Sequence, residues 1–373
     1  MENKNIKEYR TDEVPELRFF GRGTGDPYRE DGSAVLFWGA SGFGVTFRGG
    51  ELWVRTECDF SVYEVWVCVK VDGRQVSRFM VRKGTDWVCA ARGFDGKTPH
   101  YVEFLRETQP MPSDPAQFLA VSGIAVNRDA EFLPSVEPGL RIEFVGDSIT
   151  SGEGLAGAVG EWDWISTWIS ANSTYAARIA ASLGAEHRIF SQCGWGVSAG
   201  WDNNPHTVIP PYYGQVCGVM PGEFQERLGA HRDYDFSSWK ADAVVVNLGT
   251  NDSSAMSSPA WTDPEDGVRC SLDGERLSVG VADFLRVVRK FNPDALILWV
   301  WGMIDIPTAE EFIRRGIGSY ISESGDGNVF AMRLDPMSEC EKSDGDRGSR
   351  GHPGPETHRR AAEKITAFLR DHI

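Results

Sequence analysis

The chain has 373 residues, of which 41% are hydrophobic and 25% are charged, and its formal net charge is −16. This composition is typical of a globular protein, and the length is sufficient for two domains. The acidic balance argues against nucleic acid and against an anionic membrane surface as partners, because both require basic patches.

The N-terminal segment "MENKNIKEYRTDE" is polar, and no later apolar run approaches the length needed to cross a bilayer. We therefore expect no membrane association and a cytoplasmic location for the chain as given, or secretion if a signal peptide was removed. The cysteines favour buried reduced thiols over a disulfide framework, because they are scattered and odd in number: Cys58, Cys68, Cys89, Cys193, Cys217, Cys270 and Cys340. The absence of CxxC and HExxH patterns predicts no zinc site, and no cofactor is expected.

The first third of the chain is predicted to form an all-β sandwich. Between about Leu17 and Ile124, apolar residues alternate with polar ones in short runs such as "FGVTFRGGELWVRTE". Gly49-Gly50 and Asp72-Gly73 favour tight hairpin turns within these runs. We assign residues 1–136 to this domain.

The remaining residues, 137–373, are predicted to form an α/β domain. Strand-like "RIEFVG", "HRIF", "DAVVVNLG" and "ALILWVWG" alternate with helix-like "STYAARIAASLG" and "SVGVADFLRVVRKF". This alternation indicates a parallel sheet with helices on both faces. "TAEE" at Thr308 to Glu311 fits a capping box. A last helix from roughly Pro355 to Leu369 carries an apolar stripe, formed by Ala361, Ile365, Phe368 and Leu369.

Four segments that follow the predicted strands carry chemistry. They contain Ser148 in "GDS", Gly194 and Gly196 in "SQCGWG", Asn251 in "LGTND" and His352 in "RGHPG". Ligands of a parallel sheet bind beyond the carboxyl ends of its strands, so these residues are expected to meet there. Ser148 would attack an acyl carbon and His352 would accept its proton. The N–H groups of Ser148 and of a glycine, with the Asn251 amide, would bind the oxyanion.

Each segment also has a purely structural interpretation. Gly-Asp-Ser is a common strand terminus, Asn251 fits an Asx-turn, and His352 before Pro353 could cap a helix. His358 and Asp252 are expected to be structural, the latter as a turn or capping acid. "GWGVSAG" lacks the G-x-G-x-x-G spacing of a dinucleotide site. The order of the four segments is what favours catalysis.

The segments "GDSIT", "GWG", "GTND" and "HPGPETH" resemble, in the same order, the blocks of the SGNH or GDSL-type hydrolases. "FWGASGFGVTFRGG", "KVDG" and "FLAVSGIAV" resemble the N-terminal jelly-roll domain of carbohydrate esterase family 2. The resemblance covers nearly the whole chain. It implies a jelly-roll domain followed by a flavodoxin-like three-layer α/β/α domain. It also implies deacetylation of plant-type polysaccharides or oligosaccharides such as xylan or glucomannan.

The resemblance assigns Ser148 as nucleophile, Asn251 as the oxyanion asparagine and His352 as base. Counting from the end of the strand favours Gly196 over Gly194 as the oxyanion glycine, although either could offer its N–H. Most SGNH hydrolases place an aspartate three residues before the histidine, where this chain has Ser349. We therefore expect a serine-histidine dyad oriented by a backbone carbonyl, as in some family 2 esterases. Asp344 and Asp346 are the alternatives to that carbonyl.

Tryptophans near the expected active-site edge could stack on sugar, although most large aromatics are packing residues. They are Trp162, Trp164, Trp168, Trp195, Trp201, Trp299 and Trp301, of which Trp195 or Trp301 is predicted to touch the substrate. Two other functions compete with the carbohydrate esterase. One is a GDSL-type esterase or lipase for small acyl or lipid esters, and the other is an inactive sugar-binding homologue. The sequence does not indicate an oligomeric state.

Overall fold

The computed structural model describes residues 5–23, 32–337 and 345–373. In chain order the strands are β1 Ile6–Arg10, β2 Arg18–Phe20, β3 Ala34–Val35, β4 Gly42–Arg48, β5 Glu51–Asp59, β6 Trp66–Val71, β7 Arg74–Met80, β8 Gly84–Arg92, β9 His100–Arg106, β10 Phe118–Asn127, β11 Glu131–Leu133, β12 Arg141–Gly146, β13 Glu186–Ser191, β14 Ala243–Asn247, β15 Trp261–Thr262, β16 Arg269–Cys270, β17 Leu296–Trp301 and β18 Val329–Arg333. The α-helices are α1 Ser148–Ser151, α2 Tyr175–Leu183, α3 Glu223–Arg227, α4 Thr250–Met256, α5 Gly274–Phe291, α6 Glu310–Ser324 and α7 Pro355–His372.

The chain divides into two compact units. The first comprises Met1–Pro138 with two later segments, Ile165–Thr167 and Gln215–Tyr234. The second comprises the three remaining segments, which are Gly139–Trp164, Trp168–Gly214 and Asp235–Ile373. Two stretches that come after Pro138 in the chain therefore belong to the first unit, and chain order alone does not indicate this.

The first unit is the predicted all-β sandwich. Its strands form two antiparallel sheets, one ordered β1-β10-β5-β8 with β3 beside β10, the other ordered β11-β4-β9-β6-β7 with β2 beside β4. Leu52 and Val54 of the first sheet share one buried cluster with Val45 and Phe104 of the second. The two sheets thus pack face to face, which is the sandwich arrangement that alternating strands produce.

The two turns predicted in this unit have different outcomes. Asp72 and Gly73 both have positive φ, 49° and 76°, and join β6 to its antiparallel partner β7, which confirms that hairpin. The hairpin predicted at Gly49-Gly50 is wrong, because β4 pairs with β9 whereas β5 pairs with β10 and β8. These glycines join two strands of different sheets. Sequence pattern locates a turn, but distant strands decide the pairing.

The second unit is built on a parallel sheet ordered β13-β12-β14-β17-β18. Each neighbouring pair of these strands is parallel. This order, with the first strand of the unit lying between the second and third, is flavodoxin-like. β18 is absent from the predicted strands, since only one of its five residues is buried and its pattern is that of an exposed edge.

Helices cover both faces of this sheet. Phe144 of β12 contacts Tyr175 of α2, and Trp299 of β17 contacts Phe284 of α5. The strand register aligns Phe144 with Leu298, and Trp299 is the next residue along β17. Successive side chains of a strand point to opposite faces, so Phe144 and Trp299 lie on different faces of the sheet. Helices α2 and α5 therefore lie on opposite faces. The presence of helices on both faces of the sheet confirms the predicted three-layer α/β/α domain.

Two local predictions concern helix ends. Helix α7 confirms the predicted last helix, and it extends to His372. The capping box at Thr308 to Glu311 is wrong, because Ala309 precedes α6 and no side chain caps it. The Thr308 hydroxyl instead lies 2.6 Å from the Ser253 hydroxyl of α4. A tertiary hydrogen bond therefore replaces the local one.

Candidate active site

The nucleophile segment turns sharply at the carboxyl edge of the parallel sheet. β12 ends at Gly146, and Ser148 begins α1 two residues later. Asp147 caps that helix, because its carboxylate accepts a hydrogen bond from the Ile149 N–H at 3.0 Å. A Cβ at Gly146 would lie 2.0 Å from the Thr150 hydroxyl, so the close turn requires glycine there. The local sequence thus brings Ser148 to the sheet edge.

A pocket of about 400 Å³ opens at this edge. Ser148, Asn251 and His352 all line it, so the structure brings these predicted site residues together. Its wall also includes Glu153 and Arg350, to which the sequence analysis gave no role, together with Cys193, Trp164 and Trp201. Ser148 is nearly covered, with 5% of its surface exposed, so a substrate must enter the pocket to reach the hydroxyl.

Ser148 and His352 have the geometry of a nucleophile and its base. The Nε2 atom of His352 lies 2.9 Å from the Ser148 hydroxyl oxygen. The Nδ1 atom of His352 lies 3.2 Å from the backbone carbonyl oxygen of Arg350. If Nδ1 carries the proton, it donates to that carbonyl, and Nε2 is left as the acceptor for the serine proton.

Backbone hydrogen bonds hold the loop that carries His352. The N–H of Ser349 donates to the Gly154 carbonyl at 2.9 Å, and the N–H of Arg350 donates to the Glu161 carbonyl at 2.8 Å. Gly154 has φ of 75°, and a Cβ there would lie 2.4 Å from the backbone carbonyl oxygen of Ser349. Glycine is therefore needed for both its conformation and its close contact.

Ser349 occupies the usual aspartate position, and Asp344 and Asp346 were the alternative partners considered for His352. Ser349 is fully buried, and its hydroxyl has no hydrogen-bond partner among the described residues. Asp346 pairs with Arg360 and accepts a hydrogen bond from the Thr357 hydroxyl at 3.2 Å. Asp344 lies outside the described residues. The geometry therefore supports the carbonyl-oriented dyad over a role for Asp346.

The predicted choice of oxyanion glycine is wrong. The Gly196 N–H donates to the Thr207 carbonyl at 3.2 Å, and Gly196 does not line the pocket. Gly194 does line it, and its φ is 80°. Counting along the chain favoured Gly196, but its backbone is held in a bridge to Val208. Gly194, the alternative left open, is the better candidate donor.

Asn251 is held close to the nucleophile. Its amide nitrogen donates to the Trp195 carbonyl at 2.8 Å and lies 3.4 Å from an Asp147 carboxylate oxygen. The Asp147 contact is at the long limit of a hydrogen bond, so the second amide hydrogen of Asn251 is the one available to a developing oxyanion. Burial raises the pKa of Asp147 to about 7. Asp252 is structural, since its carboxylate accepts from three backbone N–H groups of residues 197–199.

The tryptophan prediction is wrong for Trp301 and not supported for Trp195. Trp301 is 1% exposed, and the Arg314 guanidinium of α6 covers its ring at 4.7 Å. Trp195 packs against Tyr212 and does not line the pocket. Strand alternation turns Trp301 toward helix α6, which the sequence could not show. The indoles that do line the pocket are Trp164 and Trp201, the latter 59% exposed.

Comparison with known proteins places this fold and site in a family. Residues 144–360 match the GDSL-like lipase/acylhydrolase family, which is more than half of the chain. The chain belongs to this family. It is also similar to the solved structure of an acetyl xylan esterase, Est2A, from the rumen bacterium Butyrivibrio proteoclasticus. The identity is 34%, the TM-score is 0.92, and 99% of this chain and 98% of that one are covered.

Two further relatives share the architecture. A family two carbohydrate esterase from Clostridium thermocellum has the same fold, with a TM-score of 0.77 and 22% identity over 95% of this chain and 98% of that one. The cellulase/esterase CelE of Acetivibrio thermocellus is 26% identical over 345 residues, which are 90% of this chain and 37% of CelE. This GDSL-family chain thus spans about a third of that curated relative. The comparisons confirm the predicted jelly-roll and SGNH architecture.

Other features of this family member concern metals, thiols and membranes. Within residues 5–23, 32–337 and 345–373, no group of three acidic, histidine or cysteine side chains is arranged to hold a metal ion. None of the six described cysteines forms a disulfide, and Cys340 lies outside the described residues. In the same part of the chain, no helix has both the length and the apolar character that a bilayer crossing requires.

Glu153 and Arg350 are the site residues that sequence analysis missed. Glu153 is 5% exposed, and its carboxylate accepts a hydrogen bond from the Arg350 Nε at 2.9 Å. Glu153 lies five residues after Ser148, and Arg350 lies two before His352. Their proximity to the two reactive residues was the available signal, but only the loop contacts show that both side chains reach the pocket.

Proposed function

We propose that this chain is a serine esterase that removes O-acetyl groups from plant-type polysaccharides or oligosaccharides through an acyl-enzyme. The observation that supports it most is the 2.9 Å contact between Ser148 Oγ and His352 Nε2 at the base of an open pocket. The family matched by the chain contains acylhydrolases, and Est2A, at 34% identity, is named an acetyl xylan esterase.

The first half of the reaction transfers the acetyl group to the enzyme. Ser148 Oγ attacks the acetyl carbonyl carbon while His352 Nε2 accepts the serine proton. The N–H groups of Ser148 and Gly194 and the Asn251 amide stabilise the oxyanion. When the tetrahedral intermediate collapses, the bond to the sugar oxygen breaks. His352 gives its proton to that oxygen, and the deacetylated sugar hydroxyl leaves.

The second half of the reaction releases acetate. A water molecule attacks the acetyl-serine carbonyl carbon, and His352 Nε2 accepts a proton from that water. The second tetrahedral intermediate collapses when the bond from carbon to Ser148 Oγ breaks, and His352 returns the proton to this oxygen. Acetic acid leaves and loses its remaining proton to solvent, which gives acetate, and the enzyme regains its starting state.

Sugar binding is assigned to the two indoles of the pocket wall. Trp201 is largely exposed, and a Cβ at Gly194 would lie 3.2 Å from its ring, so the indole stands beside the candidate oxyanion donor. Trp164 lines the same pocket. Flat aromatic faces that remain partly exposed are suited to the apolar faces of sugar rings. The substrate class is therefore an acetylated sugar.

The direct test measures acetate release from acetylated xylan, acetylated glucomannan and 4-nitrophenyl esters of increasing chain length. We expect release from at least one polysaccharide and a preference for acetyl among the nitrophenyl esters. Rates that rise from acetyl to octanoyl, without polysaccharide turnover, would instead favour the esterase or lipase for small acyl or lipid esters. Sugar binding without any turnover would favour an inactive homologue.

A further inference from the structure

A buried carboxylate and a guanidinium stand beside His352, and the mechanism above uses neither. We propose that Glu153 and Arg350 form a positioning pair beside His352, in place of the aspartate that this chain lacks. In this pair Glu153 stabilises the charge that the imidazole gains during the reaction, and Arg350 holds the Glu153 carboxylate in place. The inference rests on the proposed function, because it concerns the same acyl transfer. It assigns roles to two side chains that the serine-histidine dyad leaves out.

Glu153 is fixed close to both reactive residues. Its backbone N–H donates to the Ser148 carbonyl at 2.9 Å, which ties it to the end of α1. Its carboxylate oxygen Oε2 lies 3.7 Å from His352 Nε2, the atom that accepts the serine proton. A carboxylate at that distance attracts the positive charge that the imidazole gains when it accepts the serine proton. In a typical triad the acid lies at Nδ1, whereas this acid lies on the Nε2 side.

Arg350 connects that carboxylate to the other side of the imidazole. Its Nε donates to Glu153 at 2.9 Å, and its Nη1 donates to the Trp162 carbonyl at 2.6 Å. Its own carbonyl oxygen is the atom 3.2 Å from His352 Nδ1. One residue thus holds the Glu153 carboxylate through its side chain and faces Nδ1 through its backbone.

The backbone of Arg350 is held in an unfavourable conformation. Its φ is 55° and its ψ is 28°, the left-handed region that side chains other than glycine rarely adopt. Such conformations persist where surrounding contacts hold them, and they cluster at active sites. Here the side-chain bonds to Glu153 and Trp162 and the backbone bond to Glu161 are the holding contacts.

Three other titratable groups near His352 are buried, and burial disfavours their charged forms. Burial lowers the pKa of His358, on the neighbouring helix α7, to about 3, so it is neutral. Burial raises the pKa of the Cys193 thiol in the pocket wall, so that it too is neutral. Asp147 lies behind Ser148, and burial raises its pKa to about 7. Glu153 and Arg350 differ from these groups because Glu153 lies 3.7 Å from the imidazole and forms an ion pair with Arg350.

Two variants separate the charge of the pair from the shape of the loop. Glu153→Gln removes the carboxylate charge but keeps an oxygen for Arg350. Arg350→Gly removes the guanidinium but keeps the backbone carbonyl, and glycine adopts positive φ without strain. Asp163→Asn is the matched control, because Asp163 is an exposed carboxylate of the same region with no hydrogen bond to a described residue.

The readouts are kcat, KM and the pH profile with 4-nitrophenyl acetate, which has no sugar to bind. Labelling of Ser148 by a fluorophosphonate, followed by mass spectrometry, provides a second readout. In that reaction a serine-phosphorus bond forms, fluoride leaves and the serine proton passes to the base. We expect Glu153→Gln to lower kcat roughly 10- to 100-fold with KM within about threefold.

The pH profiles should move in opposite directions. Loss of the carboxylate in Glu153→Gln should move the midpoint of the acidic limb of kcat/KM downward by about 0.5 to 1 pH unit. Loss of the guanidinium in Arg350→Gly leaves the carboxylate unneutralised and should move it upward. Asp163→Asn should leave the profile in place. A merely structural role would not give shifts of opposite sign.

Several outcomes would overturn the proposal. Unchanged kcat and pH profile in both variants, with thermal unfolding midpoints showing that they fold, would mean that the dyad needs neither residue. A defect of Glu153→Gln confined to sugar esters would make Glu153 a substrate-binding group instead. If the wild type is labelled at Ser148 but releases no acetate from polysaccharide, the proposed substrate is refuted. The labelling rates of Glu153→Gln and Arg350→Gly then test the positioning pair, and rates equal to that of the wild type would refute it. A wild-type chain that neither labels nor turns over would refute both.

Discussion

The Nε2 atom of His352 lies 2.9 Å from the Ser148 hydroxyl, although 204 positions separate the two residues in the chain. Ser148 is carried by the turn after β12, and His352 by the loop before α7. That contact is the basis of the first prediction. Ser148→Ala and His352→Ala should each lower kcat for acetyl esters by at least about 10⁴.

The measurement for this pair is kcat with 4-nitrophenyl acetate, with circular dichroism as the control for folding. The double variant should be no worse than the poorer single one, because the two residues act as a unit. Turnover by Ser148→Ala at the wild-type rate would show that Ser148 is not the nucleophile.

Substitution of Asp346 tests whether an aspartate completes a conventional triad with Ser148 and His352. Its carboxylate pairs with Arg360 and bonds to the Thr357 hydroxyl, and it is 7% exposed. Asp346→Asn should therefore keep kcat within about tenfold of wild type, whereas loss of a true triad aspartate costs about 10⁴. It should also lower the free energy of unfolding by about 1 to 3 kcal/mol, since Arg360 loses its partner.

Kinetics and urea unfolding on the same Asp346→Asn preparation decide this question. Asp344→Asn is also predicted to keep kcat within about tenfold of the wild-type value. A thousandfold loss of kcat in either variant, with folding intact, would show that a triad has been rebuilt from this segment.

Gly154 couples the nucleophile turn to the histidine loop. An added Cβ would lie 2.4 Å from the Ser349 oxygen and 3.0 Å from His352 Cβ, on a backbone with φ of 75°. Gly154→Ala should displace His352 and lower kcat by roughly 100-fold or more, because small misplacements of reacting groups are costly. Gly160→Ala is the control, since Gly160 also has positive φ but no atom lies within 4 Å of its added Cβ.

Both glycine variants should lose stability from backbone strain, on the order of 1 to 2 kcal/mol. Only Gly154→Ala should lose activity as well. Equal kcat for the two variants would mean that this contact does not position His352.

Acyl chain length tests the size of the acyl site. The pocket of about 400 Å³ must hold both the acyl group and the sugar, and Gly194 and Trp201 line it together with Ser148. We expect kcat/KM for butyryl esters to be about 10- to 200-fold below that for acetyl esters, the range that extra methylenes cost in a tight site. Parallel assays with 4-nitrophenyl acetate, butyrate and octanoate give the answer, and a steady increase with length would contradict a small acyl site.

His358 makes stability depend on pH. Its Nδ1 accepts a hydrogen bond from the Tyr175 N–H at 3.0 Å, and burial lowers its pKa to about 3. In the unfolded chain its pKa is near the ordinary 6.5, so the unfolded state binds more protons between about pH 3 and pH 6.5. The contribution of His358 is complete above pH 6.5 and is lost as pH falls, by up to about 1.4 kcal/mol per pH unit.

Urea unfolding at pH 5, 6 and 7 measures this slope. In His358→Gln the slope should be smaller, because glutamine does not titrate. Identical slopes in the variant and the wild type would show that His358 does not carry this dependence.

The sequence by itself determined the elements and the kind of chemistry. Strand alternation and its change of period past Pro138 are local properties of the chain, set by which residues can be buried, so the sandwich and the α/β domain could be predicted. The turn chemistry around Ser148 is equally local, because glycine, aspartate and serine favour the same strand terminus. These features depend on neighbouring residues only.

Only the tertiary structure decided which groups meet. The hydrogen bond of Gly196 to Thr207, the burial of Trp301 under α6 and the pairing of β4 with β9 depend on contacts between distant segments, which no local pattern encodes. The positions of Glu153 and Arg350 beside His352 have the same origin. Their loops are held by backbone hydrogen bonds that form once the chain has folded, so the electrostatics of the site follow from packing rather than from sequence order.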